Sequence, residues 1–457
     1  MFCCLKKIFH SNCNKVKIKS VQGLEVIDSR GNPTVEAIVE LTDGTLARAI
    51  SPSGASTGTK EAFELRDNDK TRFLGKGVQK AVININGQIN SILSGLCPFN
   101  QKEIDEELIK LDGTKNKSNI GANAILAVSI AVAKASAMSK KLSFFEYLKT
   151  IAKAKNNNFT TFCNNFKTES KTSAKIGLIS IKNDIMPMPM MNIINGGAHA
   201  DNNLEIQEFM IIPSSAKTIA DAVRMGCEVF ANLKKILASQ NLAISVGDEG
   251  GFAPKINTSK EALNLIIQSI TQAGYKSGID INIALDCAAS EFFKDGKYHV
   301  DGLSLTTDEL ISYYKDLISN YPIISIEDPF SENDTDGFIK LTKECGDKIQ
   351  IVGDDAFCTN PEILSQGISK GVANALLVKP NQIGTLTETM QAVEMARKNG
   401  YNTILSHRSG ESEDTSIAHI AVALRSGQIK TGSLSRTDRT AKYNELIRIE
   451  NFIKNSI

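Results

Sequence analysis

From Met186 onward, short β-branched runs alternate with stretches whose apolar residues fall three and four apart, and each run closes on a polar residue able to do chemistry. The runs are INIALDC closing on Asp286, IISIEDP on Glu327, IQIVGDD on Asp354, ALLVKPN on Lys379, NTILSHRS on His407 and QIKTGS on Lys430. Successive closing residues are 41, 27, 25, 28 and 23 positions apart, the length of one strand plus one helix. Asn360-Pro361 reads as an N-cap with Pro at the first helical position, and Gly400 closes a helix that starts near Thr385. Apolar strands alternating with amphipathic helices predict a parallel sheet covered on both faces, and this many units predict a closed β/α barrel. In such barrels the C-terminal ends of the strands carry the chemistry.

The first part of the chain has a different rhythm. Val26-Ile27 leads into the turn-rich run Asp28 to Pro33, and Thr34 to Leu41 alternates as a half-buried strand should. Asp43-Gly44 is a hairpin signal, and Thr45 to Ile50 returns as the partner strand. Lys76 to Ser139 reads as helices broken at Gly113 and Gly121. The expected organisation is a disordered N-terminal extension over 1–15, an α+β capping domain over 16–150, a polar insertion or linker over 151–185, and a barrel catalytic domain over 186–457. The fold class is therefore α/β, a small α+β N-terminal capping domain followed by a TIM-like β/α barrel.

Composition narrows the partners. The 457 residues carry 52 Lys+Arg and 51 Asp+Glu, a net charge of +1, which removes the electrostatic case for a nucleic-acid or membrane-surface binder. The most apolar stretch, Ala122 to Met138, contains Asn123, Ser129 and Lys134 and reads as a buried helix. Nine cysteines are scattered without a C-x-x-C pair, so neither a zinc site nor a disulfide framework is expected, and a reducing, cytosolic setting fits. Cys3 and Cys4 beside Lys6 and Lys7 offer a weaker acylation reading, and a transit peptide is disfavoured because the first 20 residues hold no Arg.

The strand ends define the candidate chemistry. Asp286, Glu327 and Asp354 at one barrel mouth would repel one another without a cation, and oxygen-only ligands favour Mg²⁺ over zinc. The competing reading makes each one a helix N-cap. Lys379 and Lys430 face the same mouth, where a metal and a second lysine would lower the pKa of Lys379 toward that of a neutral base. Two cations suit an anionic substrate, and Arg408-Ser409 adds a fork for phosphate or carboxylate. Gly54 to Gly58 satisfies G-x-S-x-G but lacks the surrounding parallel sheet of a nucleophile elbow. The spacing around Gly75-Lys76-Gly77 fits no dinucleotide loop, and no H-E-x-x-H is present.

Eight segments together carry a resemblance: SPSGASTGTKEAFELRD (51–67), MNIINGGAHADNN (191–203), SVGDEGGFAP (245–254), LDCAASEFF (285–293), SIEDPF (325–330), KPNQIGTLTE (379–388), SHRSGESEDT (406–415) and GQIKTGS (427–433). From about Lys15 to Glu450 the chain closely resembles the enolase family. The resemblance implies an enolase-type barrel with an irregular first pair of strands, and a lyase that reversibly dehydrates 2-phospho-D-glycerate to phosphoenolpyruvate in glycolysis and gluconeogenesis. It implies two Mg²⁺ per active site, the first held by Asp286, Glu327 and Asp354, the second by Ser56 in a mobile loop. Lys379 matches the base and Glu249 the acid, with Glu208 and His407 also in catalytic positions. His199, Gln207, Glu208, Lys379, Arg408, Ser409 and Lys430 match the residues around the phosphorylated substrate. The family forms homodimers or octamers, and Glu36 and Arg436 match a pair that meets across the dimer contact. The expected location is the cytoplasm, with a cell-surface or secreted pool and a secondary binding role as additions. No nucleic acid or membrane is required.

Two rivals remain at this level. Another member of the superfamily would act on a different α-proton, a reading that GDEGG and Arg408-Ser409 oppose; a purely binding role is the non-enzymatic alternative. The family's short connector is replaced here by the polar stretch 152–184, and His419 stands where the family often has Asp.

Overall fold

The computed structural model describes residues 15–54, 57–153, 176–177, 179–182 and 184–456. Expectations for residues 1–14, for Ser56 and for most of 151–185 lie outside the described residues.

Strands β1 (Ile18–Ile27), β2 (Pro33–Leu41) and β3 (Leu46–Ile50) form an antiparallel sheet in that order, with the two turns where the sequence placed them. The alternation of Thr34 to Leu41 suggested a half-buried strand, yet β2 is buried over its first five residues on both faces. It is the middle strand, and the helix Ala122–Ser139 packs on it. That helix is long and apolar enough to cross a bilayer by length and composition alone, but 83% of it is buried in the fold. Its many alanines let the sheet approach closely.

The first domain caps a helix of the second. The barrel helix Leu386–Lys398 begins with orphan N–H groups that need acceptors. Leu386 donates to Ser129 Oγ at 3.1 Å, and Thr387 donates to Asp105 Oδ2 at 2.9 Å. Asp105 is fully buried, and burial pushes its pKa up to about 6 against the hydrogen bonds from Ser129 and Thr387. The buried Lys117–Glu388 pair at 3.0 Å closes the same joint.

Strands β4 (Ile179–Ile181) and β5 (Asp184–Met186) form an antiparallel hairpin in which Ile179 and Met186 are fully buried. The expected polar linker through 185 differs at its end: Ile176, 2% exposed, and the residues of this hairpin supply apolar surface to the core. A second correction concerns the cysteines. Cys97 is disulfide-bonded, whereas Cys227, Cys287, Cys345 and Cys358 are free.

The barrel strands are β6 (Met188–Asn195), β7 (Glu208–Ile212), β8 (Asn282–Asp286), and then, after a small antiparallel sheet of β9 (Phe293–Lys294), β10 (Lys297–Val300) and β11 (Leu303–Leu305), β12 (Ile323–Glu327), β13 (Gln350–Gly353), β14 (Ala375–Val378), β15 (Asn402–Ser406) and β16 (Gly427–Lys430). They close in the order β12-β13-β14-β15-β16-β6-β7-β8. All neighbouring pairs are parallel except those of β7, which runs against both β6 and β8. The apolar runs alone predicted a parallel sheet, and β7 departs from it for a physical reason. A parallel return needs a crossover of a dozen or more residues, usually with a helix. The connection from β6 to β7, residues 196–207, is long enough but holds only a three-residue 3₁₀ turn at Gly197–His199 and no helix to carry the chain back over the sheet, so the chain folds straight back.

Candidate active site

Register places the acids on one level of the barrel mouth. Glu208, the first residue of β7, stands opposite Asp286, the last of β8, and Asp286 stands opposite Glu327, the last of β12. Glu327 pairs with Val352, two residues before Asp354. The helix-cap reading of these carboxylates fails, because other residues do that work. Thr306, Asp334, Asn360 and Thr385 cap the helices that follow β11, β12, β13 and the short turn after β14. Asp286, Glu327 and Asp354 are buried for another purpose.

Lys430 sits among three of the acids. Its Nζ lies 2.7 Å from Asp286 Oδ2, 2.9 Å from Glu327 Oε1 and 3.1 Å from Glu208 Oε1. Burial works to lower its pKa, but these carboxylates win and hold it well above the ordinary lysine value. Lys379 pairs tightly with Asp354. The sequence reading had metal and Lys430 lowering the Lys379 pKa. Burial, Arg408 and Lys430 do act that way, but Asp354 and Glu327 outweigh them and the net direction is up. The ammonium of Lys379 is thus a held cation in this arrangement.

The opposite wall holds an acid pair. Ligand atoms of His199, Glu208 and Glu249 lie within 4.8 Å of one another. Glu249 rides in the turn Gly247–Gly251, where Asn192 Nδ2 donates to its Oε2 at 3.2 Å. Burial, then the Glu249 charge, pushes Glu208 well above the ordinary carboxylate range. Burial also opposes ionisation of Glu249, yet His407 and His199 hold it well below that range. Burial pushes His407 itself down to about 3, so its help to Glu249 is that of an N–H dipole rather than a full charge. The two members of the pair are thus pushed in opposite directions, Glu208 toward its neutral form and Glu249 toward its charged form.

Arg408 is buried and its fork is already engaged. Nη1 donates to Glu61 Oε2 at 2.8 Å and Nη2 to Glu61 Oε1 at 3.2 Å, a bidentate pair between the two domains. His199, Gln207, Glu208, Glu249, Asp286, Lys379, Ser406, His407, Arg408, Ser409 and Lys430 line one cavity. It measures about 20 Å³, enough for one water molecule. A larger cavity of about 560 Å³ opens at the other end of the barrel around Ser214, Asn282 and Tyr321, away from the acid–base set.

The acids fit a hard cation. Their donors are all oxygen, Asp286, Glu327 and Asp354 are buried, and Glu327 Oε2 and Gln207 Oε1 have no hydrogen-bond partner. A tighter acidic group, Asp328, Asp354 and Asp355, is a brace: Asp328 accepts the backbone N–H groups of Asp354 and Asp355 at 2.8 Å each. Arg436 donates to Ser29 O at 2.5 Å, and its Nε lies 3.5 Å from Asp438.

Several site residues escaped the sequence reading. Asn192 carried a signal, a polar residue inside an otherwise apolar run; Asp328 sat beside Glu327 in plain view. Glu61 and Arg439 carried none, since an acid after a Gly-rich loop and an Arg in a charged helix look solvent-exposed.

An eight-stranded β/α barrel with cations and carboxylates converging at its C-terminal mouth, capped by a small α+β domain, defines a barrel lyase of the type that acts beside a carboxylate. The chain matches the enolase N-terminal domain over residues 18–148 and the enolase C-terminal TIM barrel domain over residues 183–457. It belongs to the enolase family.

Proposed function

We propose that this chain reversibly dehydrates 2-phospho-D-glycerate to phosphoenolpyruvate, the phosphopyruvate hydratase reaction of glycolysis, with two Mg²⁺ per active site. One observation carries the reading. Lys379 follows β14, and Glu208, which lies beside the acid Glu249, opens β7; these strands lie four apart in a ring of eight, so the amine and the acid pair face each other across the mouth. An elimination that takes a proton from one carbon and returns one to a departing hydroxide on the next needs that opposition.

Lys379, once relieved of its proton, is placed to take the proton at C2. Removal puts a second charge on a carboxylate, and Lys430 is the cation beside it. Bound Mg²⁺, for which Asp286, Glu327 and Asp354 are the ligands present, supplies further positive charge there. Glu249, with Glu208 beside it, is the acid that assists hydroxide departure. Arg408 and Ser409 would take the phosphate, with Arg408 exchanging Glu61 for it. The test is absorbance at the phosphoenolpyruvate band with 2-phosphoglycerate, with and without Mg²⁺. Formation only with the metal supports the reading, and no formation in either condition overturns it. A cytoplasmic homodimer joined through the small domain accompanies this reading. It does not rest on Arg436, and sedimentation showing monomer alone at micromolar concentration would remove it.

A further inference from the structure

The most buried cation near the site is one that neither the motifs nor the reaction assigns. Arg439 lies near the start of the helix Thr437–Asn455 and is fully buried. Its Nη1 contacts His407 Nδ1 at 2.5 Å and donates to Arg408 O at 2.6 Å. Its Nη2 donates to Ser409 O at 2.5 Å and to Asp248 O at 3.2 Å, while Nε lies 2.7 Å from Asp438 Oδ2. One guanidinium thus ties the segment 407–409 to the residue before Glu249. Gly432, with φ +80°, leaves room for it: a Cβ there would stand 2.7 Å from Arg439 Cδ and 2.8 Å from Glu249 O.

The contact with His407 has only one chemical solution. Arginine has five N–H donors, no acceptor, and does not lose its proton in proteins. Nδ1 of His407 must therefore be the unprotonated, accepting nitrogen. A neutral imidazole then carries its proton on Nε2, and Nε2 lies 3.2 Å from Glu249 Oε2. We propose that Arg439 is a positioning residue that fixes His407 as the Nε2–H tautomer, so that the imidazole presents a donor to Glu249, and that sets the spacing between the 407–409 and 247–251 segments. This deepens the functional reading above and rests on it for its kinetic consequence. The burial that depresses the His407 pKa agrees with a neutral ring.

The experiment is long-range ¹H–¹⁵N NMR of the full-length protein labelled with ¹⁵N-histidine, with Mg²⁺ present, His407 being assigned by its loss in His407→Asn. The wild-type protein should show His407 with protonated Nε2 and bare Nδ1 at pH 7; a protonated Nδ1 overturns the proposal without any further variant. Arg439→Lys and Arg439→Gln should show a mixture of tautomers, and kcat should fall by about tenfold to a hundredfold, with KM changing far less. Retention of both the single tautomer and kcat in a folded variant overturns it as well. A wild-type protein with the expected tautomer but no phosphoenolpyruvate formation would refute the functional reading and leave the tautomer assignment standing.

Discussion

Arg408 and Glu61 meet through two hydrogen bonds, 2.8 and 3.2 Å, across the junction of the two domains, with both side chains nearly inaccessible. Glu61 Oε1 also accepts from Gly58 N at 3.1 Å and Gln382 Nε2 at 3.3 Å, so one carboxylate joins the small domain, the barrel and the arginine assigned to phosphate. Glu61 stands where a ligand's anion would be expected.

Glu61→Gln should therefore leave a buried guanidinium short of charge, destabilising the fold by roughly 3–5 kcal/mol. Millimolar inorganic phosphate should restore more stability to the variant than to the wild type. Thermal unfolding with and without phosphate checks this. Equal stabilisation of both proteins would remove Arg408 as the phosphate anchor.

Lys430→Met should be worst without metal. Three carboxylates lose their common cation, for a cost on the order of 3–5 kcal/mol in EDTA. Added Mg²⁺ should stabilise the variant more than it stabilises the wild type. Calorimetric melts in both conditions measure the difference.

Lys379→Ala and Glu249→Gln should fail at different steps. Loss of the base should abolish turnover and C2 proton exchange together, by at least about 10²–10⁴. Glu249→Gln should lose turnover yet keep exchange, read by NMR of 2-phosphoglycerate in deuterated buffer. Should both lose exchange equally, base and acid do not belong to separate steps.

Asp105 gives a pH signature unrelated to turnover. Its folded pKa is about 6 against the ordinary aspartate value of 3.8, so the folded chain binds more protons between those limits. Its contribution to stability is full below about pH 4 and declines as pH rises through 6, by on the order of 3 kcal/mol. Asp105→Asn cannot titrate. The stability difference between wild type and variant should drift by that amount from pH 4 to 7 in urea unfolding, and a constant difference would refute the assignment.

Much of this was legible because strand ends are periodic. The apolar runs located β8 and β12 to β16, and the residue closing each run is the one that reaches the mouth. The direction of β7 was not legible from periodicity, since EFMII reads alike in either sense and only the helix-free connection before it decides. Nor could one sequence show that Lys379 is held charged, because the sum of burial and four charges around it depends on distances that spacing does not give. Arg439 was hidden for a related reason. The helix TDRTAKYNELIRIENFIKN looks solvated, yet Arg439 and Lys442 are among its fully buried residues because the loops they hold offer carbonyl oxygens.

The reversed second strand changes how this barrel can be re-engineered. On an all-parallel barrel, exchanging any segment that follows a strand alters the mouth and leaves the base alone. Here that rule inverts once. The residues before β7, through Gln207 and Glu208, are the ones at the mouth, while the segment after Ile212 leads to Ser214, whose Oγ accepts from Asn282 Nδ2 at 2.9 Å at the far end. A loop library built after every strand would spend one of its eight positions on the scaffold's foundation, because the mouth segment before β7 is already the one that follows β6.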